Sequence, residues 1–151
     1  MLPLPRKLLL ALEAVVDIAY NAGAKPVQSK EITERQGISQ RYLEQIMQRL
    51  VHAGVLKGTR GPRGGYRLAR ERRRITVGDI ARVLAELEGR DGFTNDHAGS
   101  DLGRATVRPL WDELEGEFMQ RLDGISIEDL CQRAQREGVR TRTPDRLDFT
   151  I

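Results

Sequence analysis

Arg41, Glu44 and Gln45 are the residues of this chain best suited to reading another molecule's edge. They lie three and four positions apart, so on a helix they share one face. A guanidinium offers a fork of donors to a guanine edge or a phosphate, a carboxylate accepts from cytosine, and a carboxamide bonds adenine or bridges through water. Ser39 and Gln40 sit beside them near the helix start, and Gln48 extends the same side. Tyr42 is expected to pack, with its hydroxyl available to a phosphate. A second cationic set, Lys57, Arg60 and Arg63, follows within one short segment and is suited to phosphates or a minor groove. For each of these polar residues the plain alternative is a side chain that faces solvent and does nothing more.

The elements that must hold these groups lie in residues 38–70. Ser39 is a good N-cap, because its hydroxyl accepts from backbone N–H groups two or three residues on. Leu43, Ile46, Met47 and Leu50 recur at helical spacing and form an apolar face opposite the polar one. Ala53-Gly54 ends the helix, with Gly54 free to adopt the left-handed cap conformation. Strands are expected over residues 55–60 and 66–69. The turn Gly61-Pro62-Arg63-Gly64-Gly65 joins them, its glycines permitting positive φ, with Gly64 and Gly65 shaping the hairpin and Tyr66 anchoring it. A polar-faced helix followed by a basic, glycine-rich hairpin is the arrangement of a winged helix-turn-helix, whose helix fits a major groove about 12 Å wide.

Upstream, residues 7–21 read as a helix with Leu8, Leu12, Val15, Val16 and Ala19 on one face, ended by Ala22-Gly23-Ala24-Lys25-Pro26. Ser29 is expected to cap the next helix, residues 30–36, with Ile32 turned inward and Glu31 favourably placed in the first turn; Ser29 joins the expected DNA-binding set. Gly37 turns the chain and Ile38 plugs the small core between the two helices. Downstream, Thr76-x-x-Asp79 is a capping-box variant opening a helix with Val77, Ile80, Val83, Leu84 and Leu87 on its apolar face. A polar loop follows. A longer helix over residues 104–122 carries Val107, Leu110, Trp111, Leu114, Phe118 and Leu122, and Pro109 near its first turns moves its true start later. That stripe is too large for a small chain to bury alone and is expected to be a dimer interface; the alternative is an intramolecular core helix. Ser126-x-x-Asp129 opens a short last helix bearing Ile127, Leu130, Cys131 and Ala134, and Gly138 stops it.

The stretch Ile38-Ser39, Tyr42-Leu43-Glu44-Gln45, Leu50, Ala53-Gly54 and the wing Arg60-Gly61-Pro62-x-Gly64-Gly65-Tyr66-x-Leu68 resembles the winged-helix regulators of the IscR/NsrR/CymR type, the Rrf-two family. Ile75-Thr76-Val77-Gly78-Asp79-Ile80 continues the pattern, and the resemblance covers roughly residues 4–136. It implies a mainly α fold with a small β-hairpin wing and a long dimerisation helix. It also implies a homodimeric bacterial regulator, usually a repressor, binding an approximately palindromic operator on double-stranded DNA. Arg41, Glu44, Gln45 and Arg60 occupy the places where related regulators read or grip DNA. Residues 1–87 would be the DNA-binding domain, 88–103 a linker loop, 104–137 the dimerisation and last helices, and 138–151 a flexible tail. The family's Gly and Tyr near Leu8 and Leu10 are absent here, whereas Lys7 stands where the family has a basic residue.

Charge distribution supports a local polyanion site. Residues 57–74 hold eight Lys/Arg against Glu71 alone, about +7 in a chain of formal net charge +3, so the remainder sums to about −4. With 39% hydrophobic and 31% charged residues, the 151-residue chain suits one soluble domain with long polar helix faces. No stretch approaches the roughly 20 apolar residues of a membrane span. The apolar run at residues 8–16 lacks a small-residue cleavage site, so a signal peptide is not expected. A single cysteine rules out an internal disulfide, and a cytoplasmic location follows by default.

Many relatives hold an iron–sulfur cluster through three cysteines in the loop before the dimer helix. Here residues 88–107 contain no cysteine, so the resemblance is closest to a cluster-free branch and no cofactor or metal is expected. Cys131 lies far beyond that loop on an apolar helix face and reads as a buried, inert thiol rather than a redox sensor. His52 and His97 have no partner at metal-ligand spacing, and a carboxylate-rich set of Asp91, Asp96, His97 and Asp101 is the remaining alternative. Cluster-free members respond through a protein partner or a small metabolite, and neither is named by the residues. The glycines at 61–65 match neither a P-loop nor a dinucleotide fingerprint, and no nucleophile–base–acid set is legible, so no enzyme is expected. The alternative function is a winged-helix module that binds a partner protein, against which the basic wing argues.

Overall fold

The computed structural model describes residues 6–88 and 99–142. Among these residues six α-helices and one two-stranded hairpin follow in the order α1 (Arg6–Tyr20), α2 (Ser29–Gln36), α3 (Gln40–His52), β1 (Leu56–Thr59), β2 (Gly65–Leu68), α4 (Val77–Glu88), α5 (Arg108–Asp123) and α6 (Ile127–Arg136). The fold is the expected mainly helical winged helix-turn-helix with a long helix appended. No helix among the described residues is long and apolar enough to cross a membrane.

One core joins the elements. Ile18, Ile32, Leu43, Met47, Leu50, Ile75, Ile80 and Ile127 are fully buried and come from α1, α2, α3, α4 with its approach, and α6. Each large aliphatic side chain removed from water in this way contributes about 1.5–3 kcal/mol. The face of α1 differs from the expected one. Leu10, Ala11, Ala14, Val15, Ile18 and Ala19 are buried, while Leu8, Leu12 and Val16 are only half-buried at its edge. Its small residues face inward because α1 packs against α2, α3, α4 and α6 together, and alanines permit that close approach.

Local capping explains most of the boundaries. The Ser39 hydroxyl accepts the Tyr42 N–H at 3.3 Å, and α3 ends at Ala53 with Gly54 at φ 77°. Ser29, in contrast, is the first helical residue of α2 and not its cap. Gln28 holds the cap position in extended conformation, and its N–H donates to the Glu31 carboxylate at 2.8 Å. The reciprocal box is closed by Glu31 three residues on, so the cap lies one residue earlier than the small hydroxyl suggests.

Both downstream capping boxes form. The Thr76 N–H and the Asp79 N–H are each satisfied by the other residue's side chain at 3.0 Å, and Ser126 and Asp129 do the same at 2.8 and 3.1 Å. These two helix starts are then joined to each other. Thr76 and Ser126 make an antiparallel bridge in which the Val77 N–H donates to the Ile125 carbonyl and the Ile127 N–H to the Ile75 carbonyl, both at 2.8 Å. Gly78 faces Asp123 at the end of α5, where a Cβ would meet its Oδ1 at 1.9 Å.

The long helix does not start as a regular α-helix. Gly103–Val107 is a π-turn, and the Arg108 N–H reaches the Gly103 carbonyl. Pro109 has no N–H and its ring would crowd the carbonyl four residues back, so a wider turn is a relaxed solution there. Within the single chain α5 buries none of its residues. Val107, Leu110, Trp111, Leu114 and Phe118 are 46–65% exposed, and Leu122 alone of the expected stripe is half-buried. They are therefore not part of an intramolecular core.

Candidate nucleic-acid interface

The outward side of α3 is built as its spacing requires. Gln40, Arg41, Gln45 and Gln48 are exposed, while Tyr42 is half-buried and packs on the core. Ser39 is exposed at the helix start. Glu44 is half-buried, and the Gln40 Nε2 donates to its Oε1 at 3.1 Å. The Glu44 carboxylate also acts on the wing. Burial first, and this negative charge second, raise the Tyr66 phenol above its ordinary value. Tyr66 therefore stays protonated at neutral pH, with its ring against the wing and the core.

The wing pairs Leu56 with Leu68, Lys57 with Arg67, Gly58 with Tyr66 and Thr59 with Gly65 in antiparallel register. Its turn closes through the Gly64 N–H to the Gly61 carbonyl at 2.9 Å. Gly61 takes positive φ, whereas Gly64 is required by proximity: a Cβ there would meet the Thr59 carbonyl oxygen at 2.1 Å. A contact that sequence reasoning missed fastens the hairpin. Val27 bridges Tyr66 in antiparallel fashion, with N–H to carbonyl distances of 3.0 and 2.7 Å. The Gln28 Nε2 adds a bond to the Pro62 carbonyl at 3.2 Å. Nothing in residues 26–28 alternates like a strand, so no sequence signal marked them.

The basic segment divides into two groups. Arg67 donates to the Gly23 and Ala24 carbonyls at 3.0 and 2.6 Å. Arg70 lies 3.9 Å from Asp79, Arg73 pairs with Glu71 at 2.6 Å, and Arg72 pairs with Glu128. Lys57, Arg60, Arg63 and the side chain of Arg74 are exposed and make no ion pair with a described residue. The charge available to a polyanion is thus concentrated on the wing, and it is smaller than the residue count suggests.

The polar side of α3 and the wing open on a common cleft of about 720 Å³. Gln48 and His52 line it from α3, Arg60 and Gly61 from the wing, and Ser29 and Lys30 from the start of α2. Of the expected set, Ser29, Gln48, Arg60, Gly64 and Gly65 meet here, while Arg41 and Gln45 continue the α3 face beyond it. Gln28, Lys30 and His52 were not anticipated. The helix-turn-helix spacing was the signal that could have placed the first two.

Comparison with known proteins is consistent along most of the chain. Residues 4–133 match the family described as Rrf2, iron-dependent transcriptional regulator. The HTH-type transcriptional regulator IscR of Escherichia coli O1:K1 / APEC is 32% identical over 157 residues, covering 93% of each chain. Among solved structures, T. potens IscR superposes with a TM-score of 0.72 at 34% identity, covering 93% of each chain. CymR (YrzC), the global cysteine regulator of B. subtilis, gives a TM-score of 0.67 at 32% identity, covering 88% of this chain and 98% of its own.

A cysteine-held iron–sulfur cluster does not fit the residues present here. An iron–sulfur cluster takes several thiolates, and this chain has one cysteine. Cys131 is buried on α6, where burial raises its thiol above the ordinary value although Arg72 opposes this. Among the described residues no group of three His, Cys, Asp or Glu converges to hold a metal ion. Asp101 is exposed and paired with Arg104 at 2.5 Å, whereas Asp91, Asp96 and His97 lie outside the described residues. With a winged helix-turn-helix and a family match spanning most of its length, this chain belongs to the Rrf2 family, whose members are transcriptional regulators and not enzymes.

Proposed function

We propose that the protein is a homodimeric, sequence-specific repressor that binds an approximately palindromic operator and carries no iron–sulfur cluster. The observation that supports this best is the common opening of the α3 polar side and the cationic wing, with the apolar stripe of α5 left uncovered beside the DNA-binding unit. In this reading Arg41, Glu44 and Gln45 read base edges in the major groove. Ser29, Ser39 and Gln40 lie close to the phosphate backbone, and Lys57, Arg60 and Arg63 grip phosphates or the neighbouring minor groove. Two copies joined through Leu110, Trp111, Leu114 and Phe118 place two α3 helices on successive major grooves, about 34 Å apart.

Footprinting the purified protein on its own promoter region tests the proposal. Protection of two symmetric half-sites overlapping the promoter is the expected result. Absence of protection at low salt, together with no retention on heparin, would overturn it in favour of a module that binds a partner protein. A colourless sample after anaerobic purification is expected, and visible absorption from a cluster would overturn the cofactor part alone.

A further inference from the structure

We infer that the C-terminal segment at residues 139–142 positions the wing for DNA binding, with Arg142 as the positioning residue. This rests on the DNA-binding reading of the α3–wing cleft. The loop between α1 and α2 presents four consecutive carbonyls, from Gly23 to Pro26, and two guanidiniums collect them. Arg67 of β2 takes those of Gly23 and Ala24 at 3.0 and 2.6 Å. Arg142, from the far end of the described chain, approaches those of Lys25 and Pro26 at 3.4 and 3.3 Å.

The segment is tied down at further points. The Arg142 N–H donates to the Asn21 Oδ1 at 2.6 Å, and Asn21 is the one buried polar residue among the described positions. The Tyr20 hydroxyl donates to the Val139 carbonyl, and the Arg142 Nη1 donates to the Glu31 carboxylate. Burial pushes the Glu31 carboxyl up, but the Gln28 N–H and the Arg142 guanidinium hold it below its ordinary value. The Arg142 side chain is only 22% exposed and is not among the residues that line the α3–wing cleft.

Two routes then run from Arg142 to the wing. The loop it holds leads directly into Val27, whose main chain bridges Tyr66. Glu31, which it pairs, fixes Gln28, whose side chain bonds the Pro62 carbonyl in the wing turn. Loss of Arg142 frees half of the loop's carbonyls and leaves the Glu31 carboxylate without its cation at the start of α2. Both changes release the base of the wing, and Arg60 with it.

A double-mutant cycle on the full chain tests this, with operator duplex titrated against wild type, Arg142→Gln, Arg60→Ala and the double variant. Arg142→Gln is expected to weaken binding about tenfold, the scale of one charge-assisted hydrogen bond. The double variant is expected to lose clearly less than the product of the two single losses, because both act through the wing. A chain ending at Gly138, which keeps all six helices, should show the same loss with its thermal transition intact. Unchanged affinity in Arg142→Gln, or losses that multiply in the double variant, would overturn the inference. Failure of wild type to bind any duplex would instead overturn the functional reading beneath it.

Discussion

The main chains of Val27 and Tyr66 exchange two hydrogen bonds, at 3.0 and 2.7 Å, and so hold the base of the wing against the approach to α2. The exchange is possible only because residue 65 is glycine. A Cβ on Gly65 would lie 2.5 Å from the Val27 carbonyl oxygen, on a backbone at φ 157°. Gly65→Ala is therefore expected to open this bridge, destabilise the protein by roughly 1–3 kcal/mol as an overpacked site does, and weaken operator binding. Thermal melting and duplex titration check it together. An unchanged melting temperature would show that the bridge carries no stability.

In the proposed reading, Arg60 and Glu44 separate grip from readout. Arg60 is exposed and makes no ion pair with a described residue, so Arg60→Ala should weaken binding to specific and scrambled duplexes alike. It should reduce the salt slope by about 0.9, the value for one phosphate that is no longer neutralised. Glu44 is held in place by Gln40, and Glu44→Ala should instead relax preference at one base position by about 1–3 kcal/mol. Titrations over a salt series on both duplexes decide, and equal losses for the two variants would end this division of labour.

The exposed face of α5 gives a third test. Leu114→Asp and Trp111→Asp change side chains that touch no core of their own chain. Each variant should keep its helical circular dichroism yet sediment as a monomer. Affinity for a full palindromic site should fall by about a hundredfold or more, since the second half-site no longer binds as a tethered event. A variant that still sediments as a dimer would move the interface elsewhere.

Cys131 provides a check on the cofactor argument. Its thiol is buried on α6 and raised by that burial, so it should react with a disulfide reagent at least about tenfold more slowly in the folded protein than in denaturant. Oxidant treatment that leaves this thiol intact should leave DNA binding unchanged. Rapid labelling of the native protein would show that the thiol is accessible and reopen a redox role.

What the sequence alone determined are features closed within three or four residues of chain, the start of α2 excepted, where Gln28 and not Ser29 holds the cap. Ser39 on α3, the boxes at Thr76 and Ser126, the stop at Gly54 and the glycine-rich wing turn all depend on neighbours along the backbone, and each was legible from residue type and spacing. The amphipathic face of α3 was legible for the same reason, since its period is a property of one helix. The tertiary structure decided whatever depends on residues far apart in the chain. It moved the buried face of α1 toward Ala11, Ala14 and Ile18, because four other helices meet there. It divided the basic segment into arginines that bind Gly23, Ala24, Asp79 and Glu128 and cations left for a ligand. It joined Val27 to Tyr66, Thr76 to Ser126 and Arg142 to Glu31. Such contacts follow from how the helices pack around one core, and no local periodicity carries their partners' positions.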